Sequence, residues 1–519
     1  MCSSDLGAAV NAVTRSGTNN IHGDAFEFLR NGVFNARNFF AAKRDSLKRN
    51  QFGGTIGAPI KKDKLFFFGG YQGTVTRSDP ADSVSFVPTA AMLAGDFTAF
   101  ASGRSVSGPS ACNATPLTLR GPFVGNKIAP TLIDKSALAI ASKLPTTSDP
   151  CGRILFGAVT QANEYQLVNK VDYQLSAKQS IFGRYMATTY FQPPPYQVQQ
   201  NLLNTFQGGR DNLAQSFAFG DTYLVTPTIV NSFRATLNRT AIHRTNADYF
   251  SAPDVGIKTF SYMPKYMLLT ITGGFTIGGG TENEATFRTT SYQLSDDISM
   301  IKGKHQIAFG VTSSHWRSAG YANVRSPGQF TIDGSVTGAG LADFVAGQMG
   351  GANPYLQSAP NTLIARDWYF GAYAQDTWKV TPRLTVNAGV RWEPWFPQQL
   401  TNNAIYNFDF ARFNSGQRST VFKNAPLGFY FPGDPGFPSQ SGMNKKWGDL
   451  GPRIGLAWDP FGDGKTSIRA SYGLAYDFVN GQFFINTANA PPWGSETRIP
   501  GPISLSNPFS NSAGISNIF

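Results

Sequence analysis

The chain has 519 residues, too many for one ordinary soluble domain, yet nothing in it reads as an interdomain linker. Charged residues make up 15%, below the roughly 25% usual in globular domains, while aromatics reach 13%, with 42 Phe beside 54 Gly. The net charge of +12 is scattered over turns, loops and strands with no DNA- or RNA-reading motif, which argues against nucleic acid and for anionic lipid, a lumen or an anionic ligand.

No apolar run approaches the ~18 residues of a membrane helix. Apolar alternation instead predicts about thirteen strands in chain order. They lie near 22–30, 50–60, 64–75, 163–175, 179–191, 213–225 and 228–240. The rest lie near 286–300, 304–316, 366–380, 383–394, 450–459 and 465–478. Their connections are short, then long, in turn. Short polar turns fall at Lys61–Lys64, Ser176–Gln179, Thr226–Thr228, Lys302–Lys304, Thr381–Arg383 and Pro460–Lys465. Long connections run roughly Asn31–Arg49, Thr76–Asn163, Gln192–Asn212, Ala241–Ala285, Arg317–Ala365 and Pro397–Asp449.

A soluble sandwich has no reason to gather every long loop at one end, whereas a transmembrane barrel has a tight-turned periplasmic rim and a looped outer rim. The expected fold class is therefore all-β, a transmembrane antiparallel β-barrel with long extracellular loops and short periplasmic turns. Strand faces agree. Leu384, Val386, Ala388, Val390 and Trp392 oppose Thr385, Asn387, Gly389 and Arg391, and Ile307, Phe309 and Val311 oppose Gln306, Ala308, Gly310 and Thr312. The second faces are small and polar, which a wet lumen permits and a packed sandwich core does not. Trp368, Trp378 and Trp392 mark strand ends, and eleven residues tilted at ~45° rise about 25 Å, the height of the apolar band of such barrels. An odd strand count cannot close evenly, so further strands are expected beyond this chain.

Of three cysteines, Cys112 and Cys151 share the Thr76–Asn163 connection, where the topology allows a disulfide; two unrelated thiols is the alternative. Closing that loop is worth roughly 4 kcal/mol in the chain-entropy model. Cys2 has no assigned role. Met1–Leu6 fits nothing that follows and is expected to be an artefact, and the lack of a secretory leader is read as truncation. His22, His243, His305 and His315 form no metal-spaced pair, and no HExxH, CxxC, phosphate loop or nucleophile elbow occurs. Neither an enzyme nor a cofactor is implied. By parity Arg234, Arg391, Arg453 and Arg469 face the lumen, where pairing with carboxylates is expected ahead of ligand contact.

Several segments carry a family resemblance. Ala8–Asn19 (AAVNAVTRSGTN) resembles the last strand of the plug in TonB-dependent outer-membrane receptors. His22–Phe40 and Asn50–Tyr71 are similar to the first three barrel strands of the large Oar-like subgroup, Tyr373–Pro394 to a barrel hairpin found across the superfamily, and Gly451–Asp477 to the hairpin that follows it in Oar-like members. The resemblance implies a plugged barrel of twenty-two strands, driven by the TonB–ExbB–ExbD complex through a segment this chain lacks. It divides the chain into the plug's end at 7–20 and the barrel's first part at 21–519, with 76–163 as an extracellular loop. The expected function is capture and active import of a bulky, scarce nutrient, with outer-membrane lipid and lipopolysaccharide around the barrel. A passive porin or adhesin-like barrel is the alternative, and a secreted β-rich lectin or enzyme a third.

Overall fold

The computed structural model describes residues 13–39, 44–80, 83–103, 112–280, 283–477, 484, 487–488 and 490–510. Met1–Leu6, the first part of Ala8–Asn19 and the chain's last nine residues lie outside the described residues.

Thirteen strands follow one another in chain order in a single sheet, every neighbour antiparallel. They are β1 His22–Asn31, β2 Lys48–Lys61, β3 Leu65–Ser78, β4 Thr160–Ser176 and β5 Gln179–Gln192. Then come β6 Gly209–Thr226, β7 Ile229–Thr245, β8 Ala285–Lys302 and β9 His305–Ala322. The last four are β10 Asn361–Thr381, β11 Leu384–Trp392, β12 Leu450–Trp458 and β13 Ile468–Gly473. Gln399–Leu400 pairs with the outer part of β10, off the main path. Among the described residues β1 and β13 are the two ends of the sheet and do not pair with each other.

Each expected strand is present, and the short turns stand where the sequence put them. Asp63 and Gly303 turn their hairpins with φ of +62° and +60°, the left-handed conformation that suits Asp and Gly. The outer ends differ. β6, β8 and β9 reach 18 residues and β10 reaches 21, so most long connections are shorter than expected. The added segments, such as Ala241–Thr245, Arg317–Ala322 and Asn361–Ala365, mix polar and apolar residues on both faces and so carry no clean alternation to reveal them. β13 is shorter than expected: its paired register with β12 ends at Gly473 opposite Arg453, and one further backbone bond, from the Leu474 N–H to the Pro452 carbonyl at 3.0 Å, extends it.

The register sorts side chains cleanly. One face carries Leu167, Phe217, Leu294, Phe309, Trp368, Trp378, Val390 and Leu456, all exposed. That continuous apolar surface has no counterpart on a water-soluble monomer. Three carboxylates interrupt it in the half nearer the short turns, each beside a polar partner. Asn231 Nδ2 donates to Asp296 at 2.6 Å, Gln179 Nε2 to Asp221 at 3.0 Å, and His305 Nδ1 lies 2.6 Å from Asp376. The opposite face is more polar, with Ser232, Arg234, Thr236 and Asn238 on β7 in one row of side chains, and also carries Phe68, Phe182 and Trp316. Asp297 falls on this face, accepting from Tyr373 Oη at 2.7 Å, while its neighbour Asp296 points to the other.

The long connections fold together rather than trailing in solvent. Phe97, Ile140, Leu203, Met267, Phe330, Phe344 and Tyr355 come from four of them and share one core, each under 2% exposed. A five-stranded sheet runs through this cap. In it Leu268–Ile271 pairs in parallel with Gln329–Ile332, and Tyr355–Ser358 takes Glu496–Ile499 as its outer neighbour.

Val386→Arg or Val390→Arg, on the apolar face, is expected to cost about 2–4 kcal/mol in a bilayer, against little for Thr385→Arg or Asn387→Arg. Urea unfolding of the full-length protein in lipid measures both, and equal tolerance at the two parities contradicts the assignment of faces.

Candidate functional site

The polar face is where a ligand or a plug would meet the wall. Val13–Asn20 crosses it in the half nearer the short turns. Arg184 Nη1 donates to Thr14 Oγ1 at 3.3 Å, and Lys170 Nζ donates to Ser16 Oγ at 2.7 Å. Asn19 closes the crossing on the β2–β3 turn, donating to Asp63 Oδ1 at 2.5 Å and accepting from its backbone N–H at 2.8 Å. Lys170 and Arg184 stand directly opposite each other on β4 and β5, an unfavourable pairing of like charges that Asp172, 2.8 Å from Lys170, offsets. The sequence reading missed both cations, although the parity that found Arg234 places them on the same face.

Of the four arginines the sequence placed on this face, Arg391 is the one held in a network. Its guanidinium lies 2.8 Å from Glu393, with both side chains 10% exposed, and donates to Tyr369 Oη at 2.5 Å. Tyr369 in turn donates to Glu393. A paired guanidinium this buried is a structural brace, since stripping either partner leaves a charge without its counterpart. Arg234, Arg453 and Arg469 have no ion pair among the described residues and line a face that can attract anions.

Cys112 and Cys151 are bonded in the connection between β3 and β4, with their Cα atoms 5.2 Å apart. In the last one, Asp434 is a clamp. Its carboxylate accepts from Ser419 Oγ at 2.6 Å, Thr420 N–H at 2.6 Å, Thr420 Oγ1 at 2.7 Å and Phe431 N–H at 2.9 Å. Burial pushes this carboxyl up, but the Ser419 and Thr420 hydrogen bonds outweigh it and hold it below its usual 3.8. Among the described residues no cluster of three His, Cys, Asp or Glu side chains could hold a metal ion.

Because the folded carboxyl is the stronger acid, its contribution is complete above the unfolded value of about 3.9 and fades as pH falls through the folded value. Asp434→Asn is expected to loosen Ser419–Phe431 by about 1–3 kcal/mol at neutral pH. Hydrogen exchange of these amides checks it, and acidification below about pH 4 should open the wild type while adding little to the variant.

The family described as Outer membrane beta barrel domain matches residues 13–518. Over 79 residues, 14% of this chain and 7% of the relative, the sequence is 37% identical to the TonB-dependent transporter Oar of Myxococcus xanthus. Among solved structures, the outer membrane transporter YddB of Escherichia coli aligns with a TM-score of 0.40 and 11% identity, covering 82% of this chain and 38% of that one. The siderophore receptor PirA of Acinetobacter baumannii gives 0.39 and 11%, covering 89% and 44%. The chain thus spans less than half the length of each of these relatives. With a family match over nearly its whole length and a wall of alternating strands beneath it, the chain belongs to the outer membrane beta-barrel domain family.

Proposed function

We propose that this chain forms wall and outer cap of a TonB-dependent importer in the bacterial outer membrane, one that captures a bulky, scarce nutrient and admits it past a plug. The observation that carries the reading is the Val13–Asn20 segment, laid across the polar face and tied to Arg184, Lys170 and Asp63. A passive porin or adhesin needs no such lead-in, whereas a plug must be anchored to the wall it closes. The likeness to a TonB-dependent transporter over 79 residues supports the same side.

In this reading 7–20 is the end of the plug and 21–519 the barrel's first part. The Thr76–Asn163 connection is extracellular, where a Cys112–Cys151 disulfide persists. TonB–ExbB–ExbD supplies the energy, and outer-membrane lipid and lipopolysaccharide surround the wall. Arg234, Arg453 and Arg469, which have no ion pair among the described residues, attract an anionic cargo or plug carboxylates.

Two measurements on the full-length protein test this. In planar bilayers with potassium chloride the wild type is expected to stay closed, because the plug fills the lumen. A Ser16→Cys/Lys170→Cys cross-link should leave the barrel folded and still closed, while removal of the plug opens a steady conductance. A wild type that conducts steadily, indifferent to the cross-link, is a passive pore and contradicts import through a plug.

A further inference from the structure

The apolar face ends in a line of arginines. Arg239 on β7 stands opposite Thr290 on β8, Thr290 opposite Arg317 on β9, and Arg317 opposite Arg366 on β10. Arg288 lies one row further out, between Ala241 and Ala319. One row nearer the short turns, on the same face, run Leu237, Tyr292, His315 and Trp368. The Trp368 ring stacks on His315 at 4.2 Å. Two residues along a strand are about 7 Å, so the cations sit just beyond an aromatic row, at the depth where hydrocarbon gives way to head groups.

This arrangement is costly on its own. Like charges directly opposite on neighbouring strands repel. Among the described residues none of Arg239, Arg288, Arg317 and Arg366 has an ion pair, and Arg366 meets only a neutral partner, donating from Nε to Gln399 Oε1 at 2.9 Å. Beside Arg366 the face is hollowed into a cavity of about 760 Å³, walled by Trp368, Phe370, Trp392 and Trp447, with Lys445 also on its lining. Trp392 Nε1 donates to the Trp447 carbonyl at 2.7 Å, so the connection between β11 and β12 is fastened over the hollow as its roof.

We propose that this flank is a binding site for a phosphorylated lipid of the outer leaflet. Its phosphates bridge Arg317, Arg366 and Arg239, and part of its apolar body enters the tryptophan-lined cavity. Guanidinium groups suit phosphate because they bind it through paired N–H donors, and several in a row match a head group with more than one phosphate. The aromatic cavity selects an amphiphile over a free anion, which has nothing to place there. The site rests on the reading that the long connections face outward, so that this rim lies in the outer leaflet.

The test uses the full-length protein, purified in mild detergent and examined by native mass spectrometry. The probes are bis-phosphorylated lipid A, its dephosphorylated form, phosphatidylcholine and inorganic pyrophosphate. The wild type is expected to hold bis-phosphorylated lipid A about tenfold more tightly than Arg317→Gln/Arg366→Gln does, a loss of about 1.4 kcal/mol. It should prefer that lipid to the other two by a similar factor, and pyrophosphate should not displace it. Arg317→Lys/Arg366→Lys keeps the charge and should recover part of the binding, which covers a glutamine variant that fails to fold. Equal binding by wild type and a folded glutamine variant, or pyrophosphate binding as tightly as the lipid, overturns the site. Heat-modifiable migration and labelling of the long connections on intact cells report the barrel and its orientation separately. A protein that passes both while failing the lipid assay loses this site alone.

Discussion

In hydrocarbon a backbone N–H or C=O has no water to turn to, and each one left unpaired costs several kcal/mol. That constraint explains why the wall is a chain of neighbouring antiparallel strands, with no strand inserted out of order. It also fixes the side chains. Once every residue is locked into a ladder, successive side chains must alternate between lipid and lumen, and a slip of one residue would expose the wrong set to each. The exposed Phe309, Trp378, Val390 and Leu456 on one face, and Arg234, Asp297 and Arg391 on the other, are two consequences of the same ladder.

Beyond the membrane water returns and the constraint relaxes, and there the chain builds differently. The outer connections bury Phe97, Met267, Phe330, Phe344 and Tyr355 in a common core, as a soluble domain would. Local clamps hold what the core does not reach. Asp343, fully buried, accepts from the Val336 and Thr337 amides at 3.2 and 2.7 Å, and burial raises its carboxyl above the usual range. Asp434, hydrogen-bonded by more donors, moves the other way. A cap with its own core is a firm platform for a binding surface, because loops that are packed lose less entropy when they hold a ligand.

Much of the wall was legible in the sequence because its signal is local. Period-two alternation and polar turns sit within each hairpin, so β7, β11 and the Thr381–Arg383 turn could be read from neighbouring residues alone. The outer ends of β7, β9 and β10 could not, since polar and apolar residues mix on both faces there and leave no period. The cap was illegible for another reason: Leu203, Met267, Phe344 and Ile499 meet only through contacts far apart in the chain. Parity also gave Arg391 its face but not its partners, which lie on β10 and just past β11. The arginine row shows the limit most plainly. Each of Arg239, Arg317 and Arg366 looked like scattered charge until the register set them level across four strands.

Lipid on one face and water on the other is the claim from which the wall, the arginine row and the import reading all descend. Nitroxide scanning along Leu384–Trp392 of the full-length protein in bilayers tests it most directly, with oxygen and a water-soluble nickel chelate as collision partners. The expected result is a period of two, with oxygen access highest at Val386, Ala388 and Val390 and nickel access highest at Thr385, Asn387 and Gly389. A flat profile, or the same alternation with its phase reversed, would contradict it.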